Sequence, residues 1–209
     1  MTRKGSTASC ASRSACASRR SSGTSEIARG PGRSAVIVVI PLSASLSAAR
    51  VSADPMASRG VPPHVTILFP FLAAGDLTPA VHARLVRLAT ARDAFVARFA
   101  RFERGHQVVW LVPDEQSSFL QLTTDLASEW PDHLPYGGIH GDDLVAHLTL
   151  VETADADQLD AVWTVASAGH PFQALVSELT VIVEDAAGRW HERWRLPLGR
   201  RPGALDFGR

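Results

Sequence analysis

Two stretches of this chain, 83 residues apart, carry one pattern: Pro63-His64-Val65-Thr66-Ile67-Leu68 and Ala146-His147-Leu148-Thr149-Leu150-Val151. Each sets a histidine and a threonine two positions apart within β-branched and aliphatic residues, the composition of a strand. Side chains alternate across a strand, so His64 and Thr66 share one face and Val65 and Ile67 the other. His147 and Thr149 likewise share a face opposite Leu148 and Leu150.

The surroundings repeat as well. His64 opens a strand to Phe69, and Thr78-Pro79 then cap and start a helix whose apolar positions Val81, Leu85, Leu88 and Ala89 recur at helical spacing. Strands follow over 94–102 and 108–112, joined by a turn at Glu103-Arg104-Gly105. After a second amphipathic helix over 117–130 and a loop over 132–143 containing Tyr136-Gly137-Gly138, the order recurs. Strand 146–151 leads to a helix over 156–167 and to strands over 172–183 and 190–198 around Ala187-Gly188. A buried strand over 35–41, a short helix over 42–50 and a loop over 51–63 precede the first set. An echo of this length implies an α+β protein of two related lobes whose histidine strands meet at the seam.

Net charge is zero over 209 residues, but residues 1–34 hold seven Lys+Arg against Glu26 alone. The other residues carry 14 Arg against 20 acids, a net −6 that does not suit non-specific binding along a nucleic-acid backbone. A small phosphate ester in a local pocket stays compatible with it. The 1–34 segment, rich in Ser, Ala, Arg and Gly, lacks the apolar surface to offset its ordering entropy and is expected to be a disordered tail. A transit peptide, a secretory n-region leading into Ala35–Ile40, upstream translated sequence and a binding arm are the other readings of it. Cys10 and Cys16 both fall there, so the body holds no disulfide or thiolate metal site. No run of 18 apolar residues predicts a membrane span.

An imidazole is a proton-transfer group and a neighbouring hydroxyl a hydrogen-bond donor. Two such pairs face to face suit a phosphate held on both sides and attacked on one. His82, His106, His133, His140, His170 and His191 lack that context. Zinc-ligand spacing is absent, and a site joining both strand histidines to Asp142 or Asp143 has no spacing in its favour. Serine-nucleophile elbows and glycine-rich phosphate loops are missing too. Phe69, Phe71, Trp110 and Trp130 read as core. Tyr136, the only tyrosine, is a candidate substrate contact because the glycines after it leave room for a ligand.

His64-Val65-Thr66-Ile67 and His147-Leu148-Thr149-Leu150 resemble the paired His-x-Thr/Ser-x signatures of the 2H phosphoesterase superfamily, which includes 2'-5' RNA ligase and cyclic phosphodiesterase proteins. The likeness covers roughly residues 35–199, with residues 1–34 and 200–209 as tails. It implies two pseudo-symmetric antiparallel-sheet lobes with outer helices around a central cleft, and no metal or organic cofactor. It also implies cleavage of 2',3'-cyclic or 2'-5' phosphodiester bonds in nucleotides or RNA ends by a cytoplasmic, monomeric enzyme free of membranes. His64 and His147 would then be the catalytic pair, with His147 the base and His64 the acid, and Thr66 and Thr149 would hold phosphate oxygens. Arg98 or Arg195 could compensate charge. A phosphate- or nucleotide-binding module that kept the cleft without turnover is the competing class.

Overall fold

Eight strands form one antiparallel sheet, and the chain fills it out of sequence order. The computed structural model describes residues 32–139, 141, 143–169 and 171–200. The strands are β1 (Ser34–Val39), β2 (His64–Leu68), β3 (Phe95–Arg104), β4 (Val108–Pro113), β5 (Leu148–Glu152), β6 (Phe172–Val176), β7 (Glu178–Glu184) and β8 (Trp190–Pro197). Between them lie α1 (Ala44–Ala53), α2 (Pro55–Ser58), α3 (Pro79–Thr90), α4 (Ser117–Glu129) and α5 (Ala156–Ser167). The order across the sheet is β6-β3-β4-β5-β2-β1-β7-β8. No helix among the described residues is long and apolar enough to cross a membrane.

Outward from its middle, the sheet has a pseudo-twofold: β5 matches β2, β4 matches β1, β3 matches β7 and β6 matches β8. Each lobe is therefore assembled from both halves of the sequence. β3 and β4, which follow His64, stand beside β5, whereas β7 and β8, which follow His147, stand beside β1. The predicted lobes exist, but they are not the successive sequence sets. The helices cross over too, with α1 against β5 and α4 against β2. The stretch over 172–183, expected as one strand, divides at Ser177, because β6 pairs with β3 while β7 pairs with β1 at the far side of the molecule. α2 falls within the expected 51–63 loop, where Pro55 and the Asp54 side chain start a short turn.

Local rules account for most boundaries. Thr78 caps α3 by accepting from Val81 N–H at 3.3 Å, with Pro79 at the first helical position. Asp155 caps α5 by accepting from Asp157 and Gln158. One face of the sheet, carrying Val65, Leu111, Leu148 and Val181, is sealed by Leu46, Leu85, Leu122, Leu126 and Leu159 from the helices. The opposite face is barer. Its small apolar cluster, Ala35, Ile37, Val61, Ile182 and Trp190, lies toward one end and leaves the middle to polar side chains. The end of the N-terminal segment is structured: Ser34 opens β1 and Arg33 pairs with Glu184 at 2.6 Å. Cys10, Cys16, His140, Asp142 and His170 lie outside the described residues.

Candidate active site

The two histidine strands touch at a single paired position, Val65 with Leu148. Both side chains are fully buried on the helix-covered face. Antiparallel register at this pair sets His64 opposite Thr149 and Thr66 opposite His147, all four on the other face. The two histidines are then diagonal neighbours, a relation that spans roughly 7–8 Å in a sheet. That gap suits a tetrahedral phosphate between two imidazoles.

Both rings are oriented in the same way. His64 Nδ1 lies 2.8 Å from the Pro62 carbonyl, and His147 Nδ1 lies 2.8 Å from the Val145 carbonyl. A carbonyl only accepts, so each Nδ1 carries its proton and each Nε2 is left for proton exchange. His64 Nε2 is 3.1 Å from Thr66 Oγ1. The Tyr136 hydroxyl is hydrogen-bonded to the same threonine, and burial pushes its phenol up from the ordinary range. Among the described residues, Nε2 of His147 and the hydroxyl of Thr149 have no hydrogen-bond partner.

Burial is the main cause that pushes His64 down to about 4; the Pro62 carbonyl opposes it, and the positive charges of Arg50 and His147 add to it. The ring is therefore neutral at pH 7. An unfolded histidine titrates near 6.5, so below that pH the unfolded chain takes up a proton the folded chain refuses. Stability should be unaffected by this group above about pH 6.5 and should fall as pH drops toward 4. Urea unfolding at pH 7.0 and 5.0 checks this: His64→Asn should lose less stability than wild type over that interval.

Tyr136 sits in a tight turn over Pro135–Gly138 with φ 52°, a left-handed conformation costly for a residue with a Cβ. Gly137 and Gly138, also at positive φ, continue the turn without that cost. The strained residue is held by its N–H donating to the Phe69 carbonyl at 2.6 Å and by Thr66 at the other end of the side chain. The glycines thus serve to aim Tyr136 at Thr66.

Sequence reasoning missed two supporting residues. Gln116 donates to the Ala146 carbonyl at 3.2 Å and accepts from Ala146 N–H at 2.7 Å, clamping the residue before His147. In the matching lobe the Pro63 carbonyl is held by main-chain Ile40 N–H at 2.9 Å. The pseudo-twofold equivalent of Ile40 is Pro113, which has no N–H, and the Gln116 amide takes its place. A proline closing β4 with an amide three residues on was the available signal. The second, Arg50, lies buried beneath the His64 segment.

The remaining expectations divide. Trp110 is not core: it is partly buried beside His147, ring centroids 6.5 Å apart, because Trp110 pairs with Thr149 and so shares its face. Phe69 is also only partly buried, on the smaller apolar cluster, while Phe71 and Trp130 are core. Arg98 is paired with Asp114, and Arg195 with Glu192 and Glu178, both on strands away from the seam. His82 packs edge-on against Trp194, His133 against Phe71, and His191 is 2.7 Å from Asp185. No group of three or more His, Cys, Asp or Glu among the described residues could hold a metal ion.

An antiparallel sheet with outer helices, two-lobed and carrying a His-x-Thr strand on each side of its seam, is the architecture that the resemblance to the 2H phosphoesterase superfamily implied. A family model described as the 2'-5' RNA ligase superfamily matches residues 38–188, and the chain belongs to that family. The structure of TT0787 of Thermus thermophilus is 17% identical, with 80% of this chain and 98% of that one covered at a TM-score of 0.51. A structure described as a phosphoesterase is 18% identical, covering 82% and 100% at 0.50. Escherichia coli LigT complexed with phosphate is 19% identical, covering 81% and 99% at 0.49. A search of curated proteins returned no match.

Proposed function

We propose that this protein hydrolyses 2',3'-cyclic phosphate or 2'-5' phosphodiester bonds of nucleotides or RNA ends by acid–base catalysis between His64 and His147, without a metal. The observation that carries the reading is the shared tautomer: both rings give Nδ1–H to the carbonyl two residues back, leaving two Nε2 atoms to serve one phosphate across the seam. One imidazole takes a proton from water as its oxygen bonds to phosphorus. The other delivers a proton to the ribose oxygen as that P–O bond breaks, and solvent restores both rings.

His64, neutral at pH 7 with an Nε2 that accepts from the Thr66 hydroxyl until substrate takes that donor, fits the base, and His147 is left as the acid. This reverses the polarity that the resemblance implied. Thr66 and Thr149, opposite the histidines, would donate to the non-bridging oxygens, where charge grows as the bond to water forms. Tyr136 would act through Thr66 by taking up one of its lone pairs and turning its O–H toward the phosphate. Trp110, beside His147, offers a flat apolar wall for a nucleobase.

The test is incubation of the full chain with a 2',3'-cyclic nucleotide in excess EDTA. Product should form, and Thr149→Val should lower kcat by about 10²-fold with KM little changed, because removing a donor to developing charge typically loses about 10²–10³. Binding without product would make the cleft a nucleotide-binding module. Activity abolished by EDTA and restored by zinc would overturn the metal-free scheme.

A further inference from the structure

Arg50 on α1 and Asp54, the residue just past its end, form an ion pair at 2.8 Å, with side chains only 5% and 4% exposed. Taking two charges out of water costs several kcal/mol per ion, and an apolar pair of similar volume is often as stable. Among the described residues, the Nε of Arg50 has no hydrogen-bond partner. A pair this costly, bonded to the segment that leads into His64, calls for a use other than stability.

Its contacts point to one. Arg50 donates from one terminal nitrogen to the Val61 carbonyl at 2.9 Å and from the other to Asp54. Asp54 in turn accepts from Met56 N–H at 3.1 Å, and the Met56 carbonyl receives Val61 N–H at 3.1 Å. Residues 61–63 are thus tied at every carbonyl: Val61 to Arg50, Pro62 to the His64 ring, Pro63 to Ile40 N–H. Pro62 and Pro63 have no N–H of their own, so the segment depends on these acceptor bonds to keep its place.

We propose that Arg50, held by Asp54, is a positioning residue for His64: it anchors the 61–63 segment whose Pro62 carbonyl orients the ring, and it sets a buried positive charge behind that segment. The inference rests on the reading of His64 as a proton-transfer group.

Among the described residues, the other elements packed around His64 contribute the following groups. β1 contributes no side chain that titrates near neutrality, and β5 contributes His147, whose charge acts in the same direction. The α4 carboxylates Asp125 and Glu129 are engaged by Arg92 and Arg84, and the Tyr136 hydroxyl is bonded to Thr66.

Two double variants separate charge from anchorage. Arg50→Gln/Asp54→Asn removes both charges but keeps an amide that can donate to Val61 and an acceptor for Met56. Arg50→Met/Asp54→Asn removes the donor as well. NMR titration of the His64 ring, assigned against His64→Asn, reads the first effect without reference to turnover. Both variants should raise the midpoint by roughly half a pH unit, since the Arg50 charge acts on His64 and the Asp54 carboxylate lost with it is not among the groups that shift the ring. The acidic limb of kcat/KM for a 2',3'-cyclic nucleotide should move to higher pH with it. Only the methionine variant should also lose about 10-fold in kcat at its pH optimum, as misplaced groups lose far more rate than binding.

An unchanged midpoint in a folded glutamine variant would overturn the charge role. Equal kcat in the two variants would overturn the anchor. Unfolding of the glutamine variant, with its near-isosteric neutral pair, would make the pair a stability element and overturn both. If wild type cleaves no cyclic phosphate while the midpoint still moves, the proposed function fails and the control of His64 stands.

Discussion

Replacing either His64 or His147 by alanine is expected to lower kcat/KM for 2',3'-cyclic nucleotide hydrolysis by about 10²–10⁴-fold, the span typical of one general acid or base. The two losses should take different forms. His64→Ala removes the group that accepts from water and should flatten the acidic limb of the pH–rate profile, which reports an essential base. His147→Ala removes the proton donor to the leaving oxygen and should flatten the alkaline limb. The double variant should fall little below the worse single one, because the two rings serve one transition state and such effects are not additive. Neither ring belongs to the apolar core, so thermal unfolding at pH 7.5 should move by only a few degrees. A single variant that keeps wild-type kcat/KM removes its histidine from the chemistry.

Leu148→Ala should cost about 2–5 kcal/mol, the range for deleting a fully buried leucine. It pairs with Val65 across the seam and with Leu111 on β4, none of them exposed, so a cavity there has no mobile neighbour to close it. At roughly 2–4 °C per kcal/mol for a chain of this size, the melting temperature should drop by several to more than ten degrees. The seam has one paired position, so Leu148 also sets how the lobes bring their histidines together. A second expected result is a loss of kcat larger than the fraction unfolded explains. Leu175→Ala, on edge strand β6 and 48% exposed, is the control and should change stability by no more than about 0.5 kcal/mol. Equal destabilisation by both would show that the seam is not where the core is tightest.

The strands, helices and turns were largely readable because their signals are local. Thr78-Pro79 marks a helix start by the bond its hydroxyl makes three residues on. His64 and Thr66 share a face because a strand has a period of two. Trp110 reads as core from the sequence and is not, because burial depends on which face of β4 the helices cover, and composition does not say. Arg50 and Gln116 were invisible for a related reason. Their partners, the carbonyls of Val61 and Ala146, are main-chain groups that every residue carries and that no spacing marks.

From the chain alone came the two His-x-Thr strands, their common facing, the α+β class and the expectation of a shared seam, all consequences of short-range periodicity and an internal echo. Only the folded molecule decided which strands make each lobe, that His64 is held neutral, and that Tyr136 is aimed at Thr66. Strand order depends on which apolar faces can be covered together across long separations in the chain. A histidine's charge depends on the water and cations around it once those faces have closed.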